Sequence, residues 1–293
     1  MTRRRRLFGL ALLALVALLA LFAWNGLERS WRVPESGLTT APADAAGPTL
    51  RVMAFNLAKL GFHRGGLEFA DSSEVRSRLE AVAAVAREHE ADLLFLSEVV
   101  WQAGTSPVNQ VIELAEAAGF HAWTYGDNYS WGLPGLRVRS GNAILSRFPL
   151  RDGRVTQLVG GAPFWNPTNN RRLLEAEVQL GDSWLRCASL RNDSIDLANN
   201  AAQVEQILSA LPDDPLLLAG DVNAEPHERP LALLRESGRF RGVFDGAPTF
   251  PSHAPGRRID TVLVPASFGG VVSQVVLDVN LSDHEPVLVV IEL

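Results

Sequence analysis

Short apolar runs in this chain repeatedly begin or end on a residue that can hold a metal, a proton or a phosphate. Leu50 to Leu57 contains Asn56, and Leu94 to Ser97 leads to Glu98. Leu216 to Ala219 leads through Gly220 to Asp221 and Asn223. Asp260 precedes Thr261 to Val264, and Ser282-Asp283-His284 precedes the final run Val287 to Ile291. Runs of this length between turn formers read as buried strands. Acids, amides and a histidine at the ends of buried strands suit metal-assisted phosphoester hydrolysis. One carboxylate would hold a hard cation and another would activate water. Amides would hold the phosphate, and the histidine would stabilise developing charge.

Helical patterns separate the strands. Asp71-Ser72-Ser73 caps a helix running to about His89, with Val75, Leu79, Val82, Val85 and Ala86 near helical spacing. Asp92 to Ser97 reads as a buried strand. A helix from about Asn109 to Ala118 stops at Gly119. Asn142 to Ser146, Leu173 to Leu180 and Trp184 to Leu190 are further strands, the last two joined by a hairpin turn at Gly181-Asp182-Ser183. Ala201 to Leu211 reads as a helix ended by Pro212. Hairpins mixed with strand-helix-strand units predict mixed sheets with helices outside. The chain has 293 residues, 47% of them hydrophobic, enough for a sizeable core.

The N-terminus reads as a membrane signal. Arg3 to Arg6 precede an uninterrupted apolar run, Leu7 to Trp24. As a helix that run is about 27 Å long, close to the hydrocarbon thickness. The arginines predict a cytoplasmic N-terminus and an exported remainder. No clean Ala-x-Ala follows the run, which favours an uncleaved anchor over a signal peptide; cleavage would make the domain secreted. The expected organisation is an anchor over 1–24, a linker over 25–49 and one domain over 50–293.

Residues 31–293 carry 22 Lys and Arg against 32 Asp and Glu, which argues against a general nucleic-acid binder. The single cysteine, Cys187, excludes an internal disulfide and reads as a buried strand residue rather than a nucleophile.

Six motifs in register carry a resemblance. Met53-Ala54-Phe55-Asn56, Leu96-Ser97-Glu98, Gly141 to Pro149, Gly220-Asp221-Val222-Asn223, Arg258-Ile259-Asp260 and Ser282-Asp283-His284 are similar, in order, to those of the endonuclease/exonuclease/phosphatase superfamily. The resemblance covers about residues 50 to 293. It implies an α/β (α+β) four-layer sandwich, two mixed β-sheets flanked by helices, here preceded by one transmembrane helix. It also implies a divalent-metal-dependent phosphoester hydrolase: a phosphodiesterase, nuclease or phospholipase-C-like enzyme using Mg2+ or Mn2+, and a monomer.

Residue by residue, Glu98 resembles the principal metal ligand, with Asn56 as a supporting amide and Asp283 as a metal-proximal acid. Asp221 resembles the group that orients or deprotonates the attacking water, and Asn223 an amide that steadies phosphoryl oxygens. His284 resembles the electrostatic partner of the transition state, held by Asp260. One departure stands out. Where many members carry Thr-His-Leu, this chain reads Ala188-Ser189-Leu190, with Ser189 in the histidine's place. Arg191 or Asn192 is the expected substitute donor to the phosphate. That loss keeps open a catalytically weak or inactive binding module retaining the fold.

The substrate stays open between lipid, small molecule and nucleic acid. A segment from Trp123 to Arg139, with Tyr125, Tyr129, Trp131 and Arg137, and a second from Phe164 to Arg172 read as loops. Either could stack bases, enter a lipid interface or cover a small phosphoester.

Overall fold

The computed structural model describes residues 3–27, 33–43, 47–65, 68–104, 106–131, 137–161, 169–210, 215–242 and 246–293, with side chains for all of these except 22–27, 63–65, 68–69 and 131. Seven strands form a first mixed sheet. Its order is Glu35–Leu38 (β1), Ala122–Trp131 (β6), Val138–Ser146 (β7), Leu93–Ala103 (β5), Thr49–Asn56 (β2), Val287–Glu292 (β15) and Gly270–Val276 (β14). Six strands form a second, in the order Phe240–Arg241 (β12), Asp260–Pro265 (β13), Leu216–Asp221 (β11), Ser183–Arg191 (β10), Arg172–Leu180 (β9) and Leu150–Gln157 (β8). A small ribbon pairs His63–Gly65 (β3) with Glu68–Phe69 (β4). The helices are Arg3–Leu27 (α1), Ser72–Glu88 (α2), Gln110–Ala118 (α3), Leu197–Ala210 (α4) and Arg229–Glu236 (α5).

Side-chain alternation along each strand builds the layers. In β2, Val52 and Ala54 face the second sheet, while Met53 and Phe55 face α2 and α3. In β11, Leu217 and Ala219 face the first sheet, while Leu216 and Leu218 face α4 and α5. The central layer is apolar: Val52, Phe95, Ile144, Val178, Leu217, Val262 and Val289 are all fully buried in it. Each such side chain contributes about 1.5–3 kcal/mol by leaving water. Cys187 belongs to this layer. Burial pushes its thiol up to about 12, so it is inert at neutral pH.

Caps set two of the outer helices. Asp71 accepts from Ser73 N and Glu74 N at 2.8 and 2.9 Å and opens α2. Asn109 does the same for α3, and Gly119 (φ 76°) ends it in the left-handed region.

Strand direction gathers the polar ends. β2 and β5 are parallel, as are β10 and β11. β15 is antiparallel to β2 and β13 to β11, so both begin where their partners finish.

Three expectations need correction. The expected linker over 25–49 is partly sheet: Glu35–Leu38 pairs with β6, and Thr39 N donates to His121 O at 2.8 Å. An apolar edge strand needed cover, and the preceding segment supplies it. Second, Trp123 to Arg139 is not one surface loop. Trp123, Tyr125 and Tyr129 are buried in β6, and Trp101 stacks on Tyr125 with ring centroids 4.9 Å apart. Arg139 is buried in an ion pair with Asp127, which leaves that aromatic set no surface for stacking bases. The side chain of Trp131 and residues 164–168 of the second segment lie outside the described residues, as do Leu211 and Pro212 at the expected end of α4. Third, α5, β8, β12 and β14 have no counterpart in the sequence reading.

α1 is apolar and exposed from Leu7 to Leu21. Among the described residues, no helix is long and apolar enough to cross a membrane. The side chains of Phe22 to Trp24, which complete the expected span, lie outside the described residues.

Candidate active site

β2 delivers Asn56 into a set of charged groups. Its amide nitrogen donates to Asp221 Oδ2 at 2.9 Å and Glu98 Oε1 at 3.4 Å, and stands 3.3 Å from His284 Nε2. Asn56 thus ties the two sheets together at one edge.

Backbone strain sets the positions of Glu98 and Asn223. The pairing of β5 with β7 slips between Leu96 and Val99, and Glu98 sits in that bulge at φ 52°. Asn223 has φ 55° and Gly220 φ 135°. A Cβ at Gly220 would stand 2.2 Å from Leu190 O, so only glycine lets β11 run against β10 there. Non-glycine residues at positive φ cost on the order of 1–3 kcal/mol and concentrate at functional sites.

A left-handed turn follows Asn56. Ala58, Lys59, Leu60 and Gly61 all have φ between 43° and 61°. Gln110 donates to Lys59 O at 2.9 Å, Arg78 donates to Leu60 O at 2.7 Å, and Ala58 N donates to Asn56 Oδ1 at 3.0 Å. The turn brings the Lys59 ammonium onto Glu98 Oε2. Arg191 at the end of β10 holds the other oxygen, Nη2 to Oε1 2.5 Å, and its Nε is 3.6 Å from Asp221 Oδ2. Burial alone would raise the Glu98 carboxyl, but Arg191 and Lys59 outweigh it and hold the group well below the ordinary carboxylate range.

Asp221 has the opposite balance. Burial and the charge of Asp260 raise it to about 6. Its Oδ1 accepts from Asn223 N at 2.9 Å, and its Oδ2 from Asn223 Nδ2 at 2.9 Å. His284 Nδ1 stands 2.8 Å from Asp260 Oδ2, and Thr249 Oγ1 donates to the same oxygen at 2.7 Å. Burial would lower the imidazole, but the charge and hydrogen bond of Asp260 raise it to about 9. Nδ1 donates to Asp260, which leaves Nε2 facing Asn56 and Asp221.

The carboxylate oxygens and one imidazole suit a hard divalent cation; Asn56 and Asn223 meet them through their amide nitrogens, and Asn56 Oδ1 accepts from Ala58 N. Asp221, Asp260 and His284 place one ligand atom each within 4.8 Å of one another, and Asp260 Oδ1 is buried with no hydrogen-bond partner. Glu98 stands across Asn56 from this trio.

The structure therefore brings together Asn56, Glu98, Arg191, Asp221, Asn223, Asp260 and His284. Asp283 is exposed and accepts from Ser282 Oγ at 3.3 Å; it lies outside the buried group. Asn192 needs correction as a phosphate donor. One residue beyond Arg191, alternation turns it away from the site. It is fully buried and its amide donates to Asn200 Oδ1 at 2.9 Å. Asn223 Nδ2 is also committed, to Asp221 and to Asn192 O at 3.0 Å, so it steadies Asp221. Ser189 is buried and donates to Leu96 O at 3.2 Å, so Arg191, two residues on, is the β10 side chain at the site.

Thr249 and Lys59 escaped the sequence reading, and Arg171 entered it only as part of the second candidate loop. Thr249 orients Asp260. Arg171, beside Arg191, is lowered to about 9 by burial and by that neighbouring charge. Lys59 carried a signal: it is the only lysine of the chain, every other Lys or Arg being arginine.

Comparison with known proteins gives the same architecture. The structure is similar to an endonuclease/exonuclease/phosphatase from Beutenbergia cavernae DSM 12333, with a TM-score of 0.65 and 21% identity over 84% of this chain and 72% of that one. An endonuclease/exonuclease/phosphatase family protein from Leptotrichia buccalis C-1013-b gives 0.64 and 14% over 83% and 100%. TDP2 from Caenorhabditis elegans gives 0.57 and 16% over 84% and 74%. A search of curated proteins found no match. The model of the Endonuclease/Exonuclease/phosphatase family matches residues 53–284, most of the chain and every motif of the site, and the chain belongs to that family.

Proposed function

We propose that this protein is a divalent-metal-dependent phosphodiesterase, using Mg2+ or Mn2+ and acting as a monomer outside the cytoplasmic membrane. The observation that carries the reading is the pairing of unlike acid groups at one edge: a low carboxyl at Glu98, a raised one at Asp221, and a raised imidazole at His284. Groups driven apart in this way divide acid and base roles between them. Members of the family are generally hydrolases of phosphoesters that depend on divalent metals.

Glu98 would hold the cation, with Asn56 beside it steadying the Glu98 and Asp221 carboxylates and Asp283 on the solvent side. When bound, it polarises the phosphoryl group and offsets its charge. Asp221, steadied by Asn223 and raised to about 6, is matched to take a proton from the attacking water near neutral pH. His284, protonated below about 9 and held by Asp260, donates from Nε2 to a phosphoryl oxygen. Arg191 supplies the donor that the family's missing histidine would have given.

Arg3 to Arg6 and the apolar helix behind them support a single-pass anchor with the domain exported. A reporter fused after Leu293 should behave as exported.

The deciding experiment is turnover of a generic phosphodiester with magnesium, then with excess chelator. Activity should vanish and return on adding metal back. In Glu98→Gln, calorimetric magnesium affinity and rate should fall together. Full activity in chelator would end this reading.

A further inference from the structure

Both oxygens of Glu98 carry a cation. Lys59 Nζ pairs with Oε2, and Arg191 Nη2 with Oε1 at 2.5 Å. A divalent ion brought to this carboxylate meets two like charges, with the charge of Arg171 close by. Repulsion is strong in a site this buried, so one of the two must give up its oxygen.

The two are held differently. Arg191 ends β10, where sheet register fixes it, and its Nε also stands 3.6 Å from Asp221 Oδ2. Lys59 hangs from a turn, and Glu98 is its one ion pair among the described residues. Its side chain is the more exposed, 24% against 16% for Arg191. An ammonium is a point charge with three donors on a flexible stem, whereas a guanidinium grips a carboxylate as a rigid fork. Arginine fills every other Lys or Arg position of the chain, and the one lysine stands where a fork would not let go.

The backbone of the turn is fixed. Ala58, Lys59 and Leu60 all adopt the left-handed region that L-residues avoid. Leu60 and Phe62 anchor the turn in the core shared with α2 and α3. Gln110 ties it to β5: its Nε2 donates to Lys59 O at 2.9 Å, and its Oε1 accepts from Val100 N at 2.8 Å. Val100 lies just past Glu98 on that strand. The turn and the carboxylate therefore keep their relative place, which leaves motion to the Lys59 side chain. Non-glycine residues held at positive φ by their surroundings concentrate where chemistry is done.

We propose that Lys59 is a substrate-binding residue stored on Glu98: its ammonium yields Oε2 to the divalent cation and swings to a non-bridging oxygen of the phosphoryl group. This deepens the hydrolase reading above and rests on it. No covalent bond changes in the exchange; one ion pair replaces another. Phosphate binding is thereby coupled to magnesium, because the ammonium is released only when Glu98 takes the cation.

The test uses the full chain in detergent. Reductive 13C-methylation keeps the charge and labels Lys59 as the only side-chain amine, so its signal stands apart from that of the terminal amine. Magnesium should shift the Lys59 signal, and inorganic phosphate should shift it again only when magnesium is present. In Lys59→Met, calorimetric magnesium affinity without substrate should rise about tenfold, since a competing positive charge is gone. At saturating magnesium, KM for bis(p-nitrophenyl) phosphate should rise about tenfold with a smaller change in kcat, as loss of one charge-assisted contact predicts. Lys59→Arg should bind magnesium no tighter than wild type, because its fork keeps the carboxylate. If Lys59→Met does not fold, the wild-type signal decides alone. A Lys59 signal unmoved by magnesium, or magnesium affinity in Lys59→Met that is equal or weaker, would make the ion pair a fixed scaffold and overturn the proposal. An unchanged KM would overturn it as well. In each of these cases wild type still binds magnesium and hydrolyses the diester, so the hydrolase reading stands. Wild type that neither binds magnesium nor hydrolyses a diester would overturn both.

Discussion

The centre of the sandwich and its site edge are built from the same strands under opposite rules. In β2, Val52 and Ala54 are fully buried among aliphatic neighbours, and two residues later Asn56 touches two carboxylates and an imidazole. In β5, Phe95 packs between the sheets, and three residues later Glu98 occupies a bulge with positive φ. In β11, Leu217 and Ala219 give way to Gly220 and Asp221. The centre contributes stability through apolar burial in relaxed extended backbone. The edge holds buried charges and left-handed residues that cost stability and are held by that centre. Rigidity comes from the strand interiors and chemistry from their ends.

If the division is real, damage to each region should read out separately. Phe95→Ala should cost about 3–5 kcal/mol of unfolding free energy, the range for emptying an aromatic core position. Turnover per folded molecule should stay near wild type. Denaturant unfolding and active-site-normalised kinetics would check both; a matching collapse of turnover would dissolve the distinction.

At the edge, His284→Ala should lower turnover by a hundred- to thousandfold, roughly 2.7–4 kcal/mol, as losing one oriented donor to developing charge does. Adding Asp260→Asn should cost little more, because the pair acts as one unit. Magnesium affinity should barely move. Additive losses in a double-mutant cycle would show that Asp260 has a separate role.

Gly220→Ala tests strain at the boundary between the regions. Its Cβ would stand 2.2 Å from Leu190 O, and the required shift should cost on the order of 1–3 kcal/mol. Asp221 would move with it, so turnover should fall as well as stability. A variant as stable as wild type would place the strain elsewhere.

The smallest effect is in the pH dependence of stability. His284 is raised to about 9 in the fold, against about 6.5 for an unperturbed imidazole. Its contribution should be complete below about pH 6.5 and lost as pH rises through about 9. In chelator-treated protein, histidine NMR signals should show His284 still protonated at pH 8. Asp260→Asn should bring that titration down toward the ordinary value. Titration near 6.5 in the wild type would remove the proposed partnership.

Much of the fold was written locally. Alternating or continuous apolar runs named β2, β5, β9, β10, β11, β13 and β15, because a strand buried on both faces leaves a run that needs no partner to be read. Asp71, Asn109 and Gly119 marked helix ends through their own hydrogen bonds and φ. The motif residues from Asn56 to His284 were legible for the same reason: each sits next to a run that identifies its strand. Sequence could not decide which of these residues face one another. Glu98 and Arg191 come from different sheets, and only the packing of those sheets set them 2.5 Å apart. It could not separate Arg191 from Asn192, because one step of alternation, fixed by register, sends one side chain to the site and the other to α4. Lys59 reaches Glu98 through a left-handed turn that Gln110 and Arg78 hold from other elements. β1 looked like a linker because its four residues, Glu35-Ser36-Gly37-Leu38, become a strand only when β6 offers an open edge. Burial pattern and local capping are properties of a segment. Register, facing and charge pairing belong to contacts between segments, and only the tertiary structure contains those.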